Sequence, residues 1–280
     1  MNAPVALFAF NRPRHTARAL EALAANNVAS DTDLFVFCDG PRDDEERDAV
    51  LEVRRVVAAV QTGFRSVTVA HSDVNRGLAT SVFAGVGQLL KSHGRVICVE
   101  DDLVTSPYFL EYMDNGLRRY ADDRRIFSVC GYKYRGALPA DYVNDAFLFR
   151  RFCSWGWATW ADRWTDIELT HERLDGIRED PVRRERVVEG GRDLLGMASA
   201  QLRGEIDSWA IQAAIASADS DRYSVYPRES LVSNIGMDGS GVHSGVSDRW
   251  DVPIDRRIRP ILDDALQPDA QVASIMLANW

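Results

Sequence analysis

Cysteine is scarce in this sequence. Four cysteines occur among 280 residues, and no two of them have the C-x-x-C spacing typical of a zinc site. Cys38 and Cys98 lie inside short apolar runs. We therefore expect buried, reduced thiols in a cytoplasmic protein rather than a disulfide framework.

Long hydrophobic runs are also absent. No apolar run approaches the roughly 18 residues of a membrane-spanning helix. The first run, Val5 to Phe10, lacks the basic start, the length and the cleavage site of a signal peptide. The sequence thus predicts a cytoplasmic location, with at most a peripheral membrane contact through a partner or a lipid-linked substrate.

Positive charge is in deficit. The chain carries 33 Lys and Arg against 42 Asp and Glu, a net charge of -9. This balance repels polyphosphate and argues against nucleic acid as a partner, although one small phosphate ester remains possible. The hydrophobic fraction of 46% is sufficient for a sizeable core.

The first hundred residues alternate short apolar runs with helical patterns. The predicted strands are Val5 to Phe10, Leu34 to Cys38, Ser66 to Ala70 and Arg95 to Val99. This alternation is typical of an α/β fold in which helices cover both faces of a mostly parallel sheet. The second half is less regular. Strands are predicted at Ile126 to Cys130, Ala146 to Phe149 and Tyr223 to Tyr226, helices at Phe109 to Tyr120 and Glu205 to Ala218, and a charged, weakly helical stretch at 170–204.

Polar residues follow three of these strands. Ligands bind beyond the carboxyl ends of parallel strands, and these ends share one sheet edge. At that edge we expect Asn11-Arg12, Asp39-Gly40 and Glu100-Asp101-Asp102. Arg76, at the start of the third helix, is expected beside them. Three adjacent carboxylates repel one another, which Mg²⁺ or Mn²⁺ would relieve. The alternative is that Asp101 or Asp102 caps the helix near Pro107.

Candidates in the second half are less specific. Asp207, beside Trp209, is either a general base or a helix cap. Trp155 and Trp157, in a Ser-Trp-Gly-Trp turn, either stack on a sugar or belong to the core. The helical spacing of Trp157, Trp160 and Trp164 favours the core for the last two.

A stretch rich in Gly and Ser spans residues 234–248. Such a loop can direct backbone N–H groups at phosphate, and its His243 could ligate metal or contact phosphate oxygen. The alternative is a flexible surface loop without a ligand.

Taken together, these motifs resemble a known family. Asn11-Arg12-Pro13, Asp39 and Glu100-Asp101-Asp102 are similar to the nucleotide-sugar half of glycosyltransferases with the Rossmann-like GT-A fold, family-2-like. Trp155-Gly156-Trp157 and Ile206-Asp207-Ser208-Trp209 resemble acceptor-side motifs of the N-acetylglucosaminyltransferase I group. The resemblance implies a GT-A domain over 1–245, divided into a nucleotide-sugar half (1–104) and an acceptor half (105–245), and a C-terminal extension over 246–280.

The resemblance also implies roles for individual residues. On the donor side, Phe10, Asn11 and Arg12 would lie near the uridine, Asp39 on the uracil, Asp101 on the ribose, Glu100 at the donor sugar and Asp102 on Mn²⁺. On the acceptor side the residues would be Trp155, Gly156, Trp157 and Trp209. The region around Arg76 matches the family weakly, and Arg76 is a candidate near the diphosphate because of its positive charge. Asp207 would be the general base. His243 has no counterpart in the family, and its role as a metal ligand follows from the Gly-rich loop alone.

The resemblance implies a metal-dependent, inverting glycosyltransferase that moves a sugar from a UDP-sugar to a glycan or glycoconjugate acceptor. UDP-N-acetylglucosamine is the first candidate for the donor. Ile206 and Ser208 depart from the family pattern, which affects the acceptor more than the reaction. The alternatives are a sugar-phosphate nucleotidyltransferase, a non-catalytic nucleotide-sugar binding module and a retaining transferase. The first is disfavoured because no Gly-rich signature follows strand one.

Overall fold

The computed structural model describes residues 1–241, 245–254 and 259–278. The strands are β1 Val5–Ala9, β2 Asp33–Cys38, β3 Ser66–His71, β4 Arg95–Glu100, β5 Leu103–Thr105, β6 Ile126–Cys130, β7 Ala146–Phe149, β8 Trp157–Trp160, β9 Tyr223–Pro227 and β10 Val232–Asn234. The helices are α1 Pro13–Ala24, α2 Arg47–Ala58, α3 Leu78–His93, α4 Phe109–Arg119, α5 His171–Glu179, α6 Pro181–Gly190, α7 Leu194–Leu202, α8 Trp209–Asp219 and α9 Ala270–Ala278. A short 3₁₀ turn covers Ala29–Asp31.

An eight-stranded sheet forms the centre of the molecule, in the order β3-β2-β1-β4-β8-β6-β9-β7. Strands β1 to β4 are mutually parallel where they pair, as are β6 and β9, while β8 and β7 run antiparallel to their neighbours. A small antiparallel sheet joins β5 to β10. The predicted α/β fold with a mostly parallel central sheet is confirmed.

Both faces of the sheet are buried, which explains the continuous apolar runs in its strands. In β1, Val5 and Leu7 belong to one core cluster, and Ala6 and Phe8 belong to the other. Residues of α1, α2, α4 and α9 pack in the first cluster, whereas residues of α3, α5, α6, α7 and α8 pack in the second. The prediction that helices cover both faces is therefore confirmed.

The tryptophan segment differs from the prediction in its secondary structure. Trp157 and Trp160 lie on strand β8 rather than on a helix, and both are buried. A separation of three residues places them on opposite faces of the strand, so they enter different core clusters. The core assignment of Trp160 is thus right, but the helical spacing that suggested it is fortuitous.

The segment after residue 246 packs on the domain itself. Val252, Leu262 and Leu266, together with Val272 and Met276 of α9, are buried in the core cluster that contains Val5 and Leu7 of β1. The C-terminal apolar stretch therefore docks on its own chain. No helix among the described residues combines the length and hydrophobicity needed to cross a membrane.

All four cysteines are buried and none forms a disulfide, as the sequence predicts.

Candidate functional site

The three predicted strand exits, after β1, β2 and β4, meet at the carboxyl edge of the sheet. Strand β1 pairs in parallel with both β2 and β4, so the residues that follow these strands lie side by side. The backbone N–H of Phe10, directly after β1, donates to Asp101 Oδ2 at 3.2 Å. The backbone N–H of Asp39, directly after β2, donates to the carbonyl oxygen of Ala9. This edge carries the densest group of predicted site residues.

Arg12 links two carboxylates of the acidic motif. Its Nη2 lies 2.5 Å from Asp101 Oδ1 and 3.0 Å from Asp102 Oδ2. Asp101 and Asp102 are buried, and the Arg12 side chain is 17% exposed. Burial by itself lowers the pKa of Arg12, but the two carboxylates outweigh it and raise the pKa above its ordinary value. The guanidinium is therefore permanently charged.

Negative charge nevertheless exceeds positive charge here. Burial, and then the neighbouring Asp102 and Asp101, raise the pKa of Glu100 to about 8. Burial also raises the pKa of Asp101, against the opposing effect of Arg12. One guanidinium thus faces three carboxyl groups, and an additional cation would stabilise their ionised forms.

These residues suit a divalent cation that also binds the substrate. Carboxylate oxygens are the ligands that Mg²⁺ and Mn²⁺ prefer, and such ions usually take one or two carboxylates plus substrate phosphates. Among the described residues, no group of three or more His, Cys, Asp or Glu side chains could enclose a metal. Asp102 could serve as one protein ligand of an ion whose other ligands come from a bound molecule or from water.

Asp39 stabilises the loop before α3 through hydrogen bonds. Its carboxylate accepts hydrogen bonds from the backbone N–H groups of Gly40, Arg76 and Gly77 at 2.9–3.2 Å. The side chain of Arg76 itself is exposed, next to the start of α3. The structure thus gives Asp39 a positioning role, while its contact with a uracil stays a prediction.

Phe10 and Asn11 lie at the outer part of this edge. Asn11 Nδ2 donates to Glu46 Oε1 at 3.0 Å, and the Arg42 guanidinium lies 5.3 Å from the centre of the Phe10 ring. The sequence analysis did not single out Arg42 or Glu46 as site residues. The acidic run Asp43 to Glu46 indicated only the start of a helix.

The Gly-rich segment begins directly against the acidic motif. The backbone N–H of Ile235 donates to the Asp102 carbonyl at 2.8 Å. A Cβ atom on Gly236 would lie 2.2 Å from Asp102 Oδ2 and 2.9 Å from Arg12 Nη1, so any larger residue there would force these side chains or the backbone to shift. His243 lies outside the described residues.

A second contact holds the same segment over α1. Asp238 Oδ2 lies 3.1 Å from His15 Nε2, and the backbone of Asp238 pairs with Val246. The described residues on either side of 242–244 therefore lie next to each other: Asp238 pairs with Val246, and the Ser247 N–H donates to the Met237 carbonyl oxygen. Neither Gly236 nor His15 was predicted, although the glycine content of 234–248 was the available signal.

Two of the predicted acceptor residues belong to the core. The Trp157 side chain is 1% exposed and stacks on Trp164, with ring centres 4.8 Å apart. Trp209 is also buried and packs against Phe83 and Phe152. Because neither ring is accessible, the prediction that they contact an acceptor is corrected.

Trp155 and Gly156 occupy a different position. Trp155 is only partly buried and contacts Tyr132 and Trp250, with ring centres 4.6 Å and 6.0 Å away. Gly156 has a φ of +70°, and a Cβ atom there would lie 2.8 Å from Val232. Trp155 is thus the one predicted acceptor tryptophan that keeps an accessible surface.

Asp207 is exposed in the loop before α8. The helix cap is Ser208, so the alternative of Asp207 as the cap is not supported. Trp209 lies 5.7 Å from Trp157, which pairs with Cys98 of β4, two residues before Glu100. Since alternate strand residues share a face, the Trp209 ring packs on the sheet face that carries Glu100, and Asp207 precedes it by two residues.

Sequence comparisons give no family. No family model matches the chain, and no curated protein matches it significantly.

Solved structures with a similar fold include a truncated TarS (1–349) of S. aureus, with a TM-score of 0.47, 11% identity and coverage of 83% of this chain and 59% of that one. The galactosyltransferase LgtC, in complex with donor and acceptor sugar analogues, has a TM-score of 0.37 and 11% identity, covering 76% of this chain and 69% of that one. UDP-glucose pyrophosphorylase, complexed with UDP-glucose, has a TM-score of 0.38 and 8% identity, and the match covers 80% of this chain and 90% of that one.

The chain spans 59% of the length of truncated TarS, 30% of another TarS chain of S. aureus and 44% of the apo form of GlyE from Streptococcus pneumoniae TIGR4. With TM-scores of 0.37–0.47, these similarities assign neither an activity nor a residue role to this chain.

Proposed function

We propose that this chain is a metal-dependent, inverting glycosyltransferase that moves a sugar from a UDP-sugar to a hydroxyl group of a glycan or glycoconjugate. The observation that carries the proposal is Arg12 held between Asp101 and Asp102 where β1 and β4 end. A guanidinium beside surplus carboxylates suits a ligand that combines phosphate groups with a divalent cation.

The donor would bind along this edge. Arg12 would contact phosphate oxygens, because a guanidinium binds phosphate as well as carboxylate. Asp102 would hold Mn²⁺ or Mg²⁺, and that ion would stabilise the charge on the leaving diphosphate. Phe10 and Asn11 lie where the uridine would extend, and Glu100 would face the donor sugar. UDP-N-acetylglucosamine remains the first candidate donor on the resemblance alone.

The acceptor would approach from the side of Asp207. Its exposed carboxylate could accept the proton of the attacking hydroxyl group. Attack from the face opposite the leaving group inverts the anomeric centre. Trp155 offers a partly exposed ring on which a sugar could stack. The Gly-rich stretch, whose Gly236 lies against Arg12, would exclude water from the donor.

Calorimetric titration of UDP, GDP, dTDP and CDP, each with Mn²⁺ and with a chelator, tests the donor site. We expect UDP to bind the wild type only with Mn²⁺, and to bind Asp102→Asn at least about tenfold more weakly. Asp31→Asn, which removes an exposed carboxylate elsewhere, serves as the control and should match the wild type. Failure of every nucleotide to bind under both conditions would refute the proposal.

The reaction product then separates the proposal from its alternatives. An inverting transferase yields the opposite anomer to that of the donor, and a retaining one yields the same anomer. A nucleotidyltransferase would instead release pyrophosphate from UTP and a sugar phosphate. A binding module would take up the donor and produce none of these.

A further inference from the structure

Arg12 lies between the carboxylates of Asp101 and Asp102, in the position that a metal ion bound by both carboxylates would take. A single atom, Nη2, is within hydrogen-bond distance of Asp101 Oδ1 and Asp102 Oδ2. We propose that Arg12 is the resident counter-cation of this pair, so that a divalent cation binds at Asp102 only together with a nucleoside diphosphate that draws the guanidinium away. This inference rests on the proposed function.

The surrounding residues offer a metal ion few protein ligands other than the oxygen atoms that Arg12 contacts. The other oxygen of Asp101, Oδ2, accepts the backbone N–H of Phe10. On the Asp102 side, Gly236 approaches so closely that a Cβ atom would lie 2.2 Å from Oδ2. Among the described residues, no third His, Cys, Asp or Glu completes a metal cage here. A cation arriving alone would therefore compete with Arg12 for the same oxygen atoms.

Electrostatic repulsion by Arg12 disfavours the binding of a divalent cation that arrives without a diphosphate. A divalent cation placed near the guanidinium is repelled by it, and this repulsion is strong because the site is largely shielded from water. A diphosphate removes the conflict in two ways. Its oxygens complete the coordination of the metal, and they offer the guanidinium an equally good partner in exchange for Asp102.

Arg12 would thereby couple the binding of the divalent cation to the binding of the nucleoside diphosphate. Each makes the binding of the other more favourable, and the coupling is reciprocal by thermodynamic necessity. The functional consequence is that the free protein does not load metal at a site where no donor is bound.

The test measures free Mn²⁺ by its electron paramagnetic resonance signal, so that it needs no turnover. In the wild type, Mn²⁺ should bind at least about tenfold more weakly alone than with saturating UDP. In Arg12→Gln, Mn²⁺ alone should bind at least about tenfold more tightly than in the wild type, because the competing charge is gone. Arg18→Gln, which removes an exposed arginine from the same helix, should behave as the wild type.

Arg12→Lys provides the second variant if Arg12→Gln does not fold, as judged by circular dichroism. Its ammonium keeps the charge, so Mn²⁺ alone should still bind weakly. If UDP binds, equal affinity of the wild type for Mn²⁺ with and without UDP would overturn the inference. So would a folded Arg12→Gln that binds Mn²⁺ alone no better than the wild type.

The same experiment distinguishes this inference from the proposed function. If no nucleotide binds, but Arg12→Gln still binds Mn²⁺ more tightly than the wild type, the glycosyltransferase proposal fails and the competition by Arg12 stands. If UDP and Mn²⁺ bind together but Arg12→Gln does not alter the affinity for Mn²⁺ alone, the inference fails and the donor site stands.

Discussion

The carboxylate of Asp39 accepts a hydrogen bond from the backbone N–H of Gly77 at 3.0 Å, which joins the end of β2 to the start of α3. The same carboxylate also accepts the N–H groups of Gly40 and Arg76. One buried side chain thus fixes the loop that presents Arg76 at the candidate donor site.

Replacement of Asp39 should therefore cost stability. In Asp39→Ala, three backbone N–H groups lose their acceptor, and we expect the free energy of unfolding to fall by about 1–3 kcal/mol. Urea unfolding measures the difference. Asp73→Ala, an exposed carboxylate in the same loop, should change the midpoint little. Equal effects of the two substitutions would show that the loop does not depend on Asp39.

Gly236→Ala should disrupt the candidate site without unfolding the chain. The new Cβ atom would meet Asp102 Oδ2 and Arg12 Nη1, so the Gly-rich segment must move away from both. We expect the affinity for UDP with Mn²⁺ to fall by about tenfold or more, as determined by calorimetry. Gly245→Ala is the matched control, because a Cβ atom there meets no other atom within 4 Å. Unchanged affinity in Gly236→Ala would place the ligand elsewhere.

Glu100 predicts a dependence of stability on pH. Its pKa is raised from 4.5 to about 8, so in this range the folded chain keeps a proton that the unfolded chain releases. The free energy of unfolding should therefore fall as the pH rises from about 5 to 8. Glu100→Gln should be more stable than the wild type at pH 8, by on the order of 2 kcal/mol, and the difference should vanish near pH 4.

Urea unfolding at several pH values, with a chelator present, measures this difference. Glu21→Gln, which changes an exposed carboxyl group on α1 and keeps Glu100, should follow the wild type at every pH. A wild type as stable as Glu100→Gln across the whole range would mean that Glu100 is ionised at little cost.

Trp155 and Trp157 should respond differently to truncation. Trp157 is buried between Phe152, Trp164 and Trp209, so Trp157→Ala should lower the free energy of unfolding by about 3–5 kcal/mol. Trp155→Ala, at a partly exposed position, should destabilise less and should raise the KM for the acceptor while leaving the affinity for UDP unchanged. An unaltered acceptor KM would remove Trp155 from the acceptor site.

Asp207→Asn should slow transfer without affecting the donor. Loss of a general base typically costs a factor of about 10² to 10⁴ in rate. Because Asp207 lies outside the carboxylate cluster, the affinity for UDP with Mn²⁺ should stay as in the wild type. Glu205→Gln, two residues earlier and equally exposed, serves as the control for rate. A correctly folded Asp207→Asn with nearly the full transfer rate would show that another group accepts the proton.

The sequence predicted most of the sheet but missed β8 and the small sheet formed by β5 and β10. The seven strands found from apolar runs, from β1 to β4 and then β6, β7 and β9, appear within one or two residues of their expected ends. Strands β5, β8 and β10 were missed. Two of them have only three residues, and β8 carries tryptophans whose spacing imitates a helix. Helix α8 also begins at Trp209, later than its pattern suggested.

The local pattern of the chain determined the α/β fold and the sheet edge where polar residues collect, because burial on both faces of a parallel sheet requires apolar strands and leaves polar groups to their ends. Only the tertiary structure decided which of those groups meet. Arg12 and Asp101 are 89 positions apart, and Gly236 reaches Asp102 through the pairing of β10 with β5. Such contacts depend on strand order and loop path, which no short stretch of sequence contains.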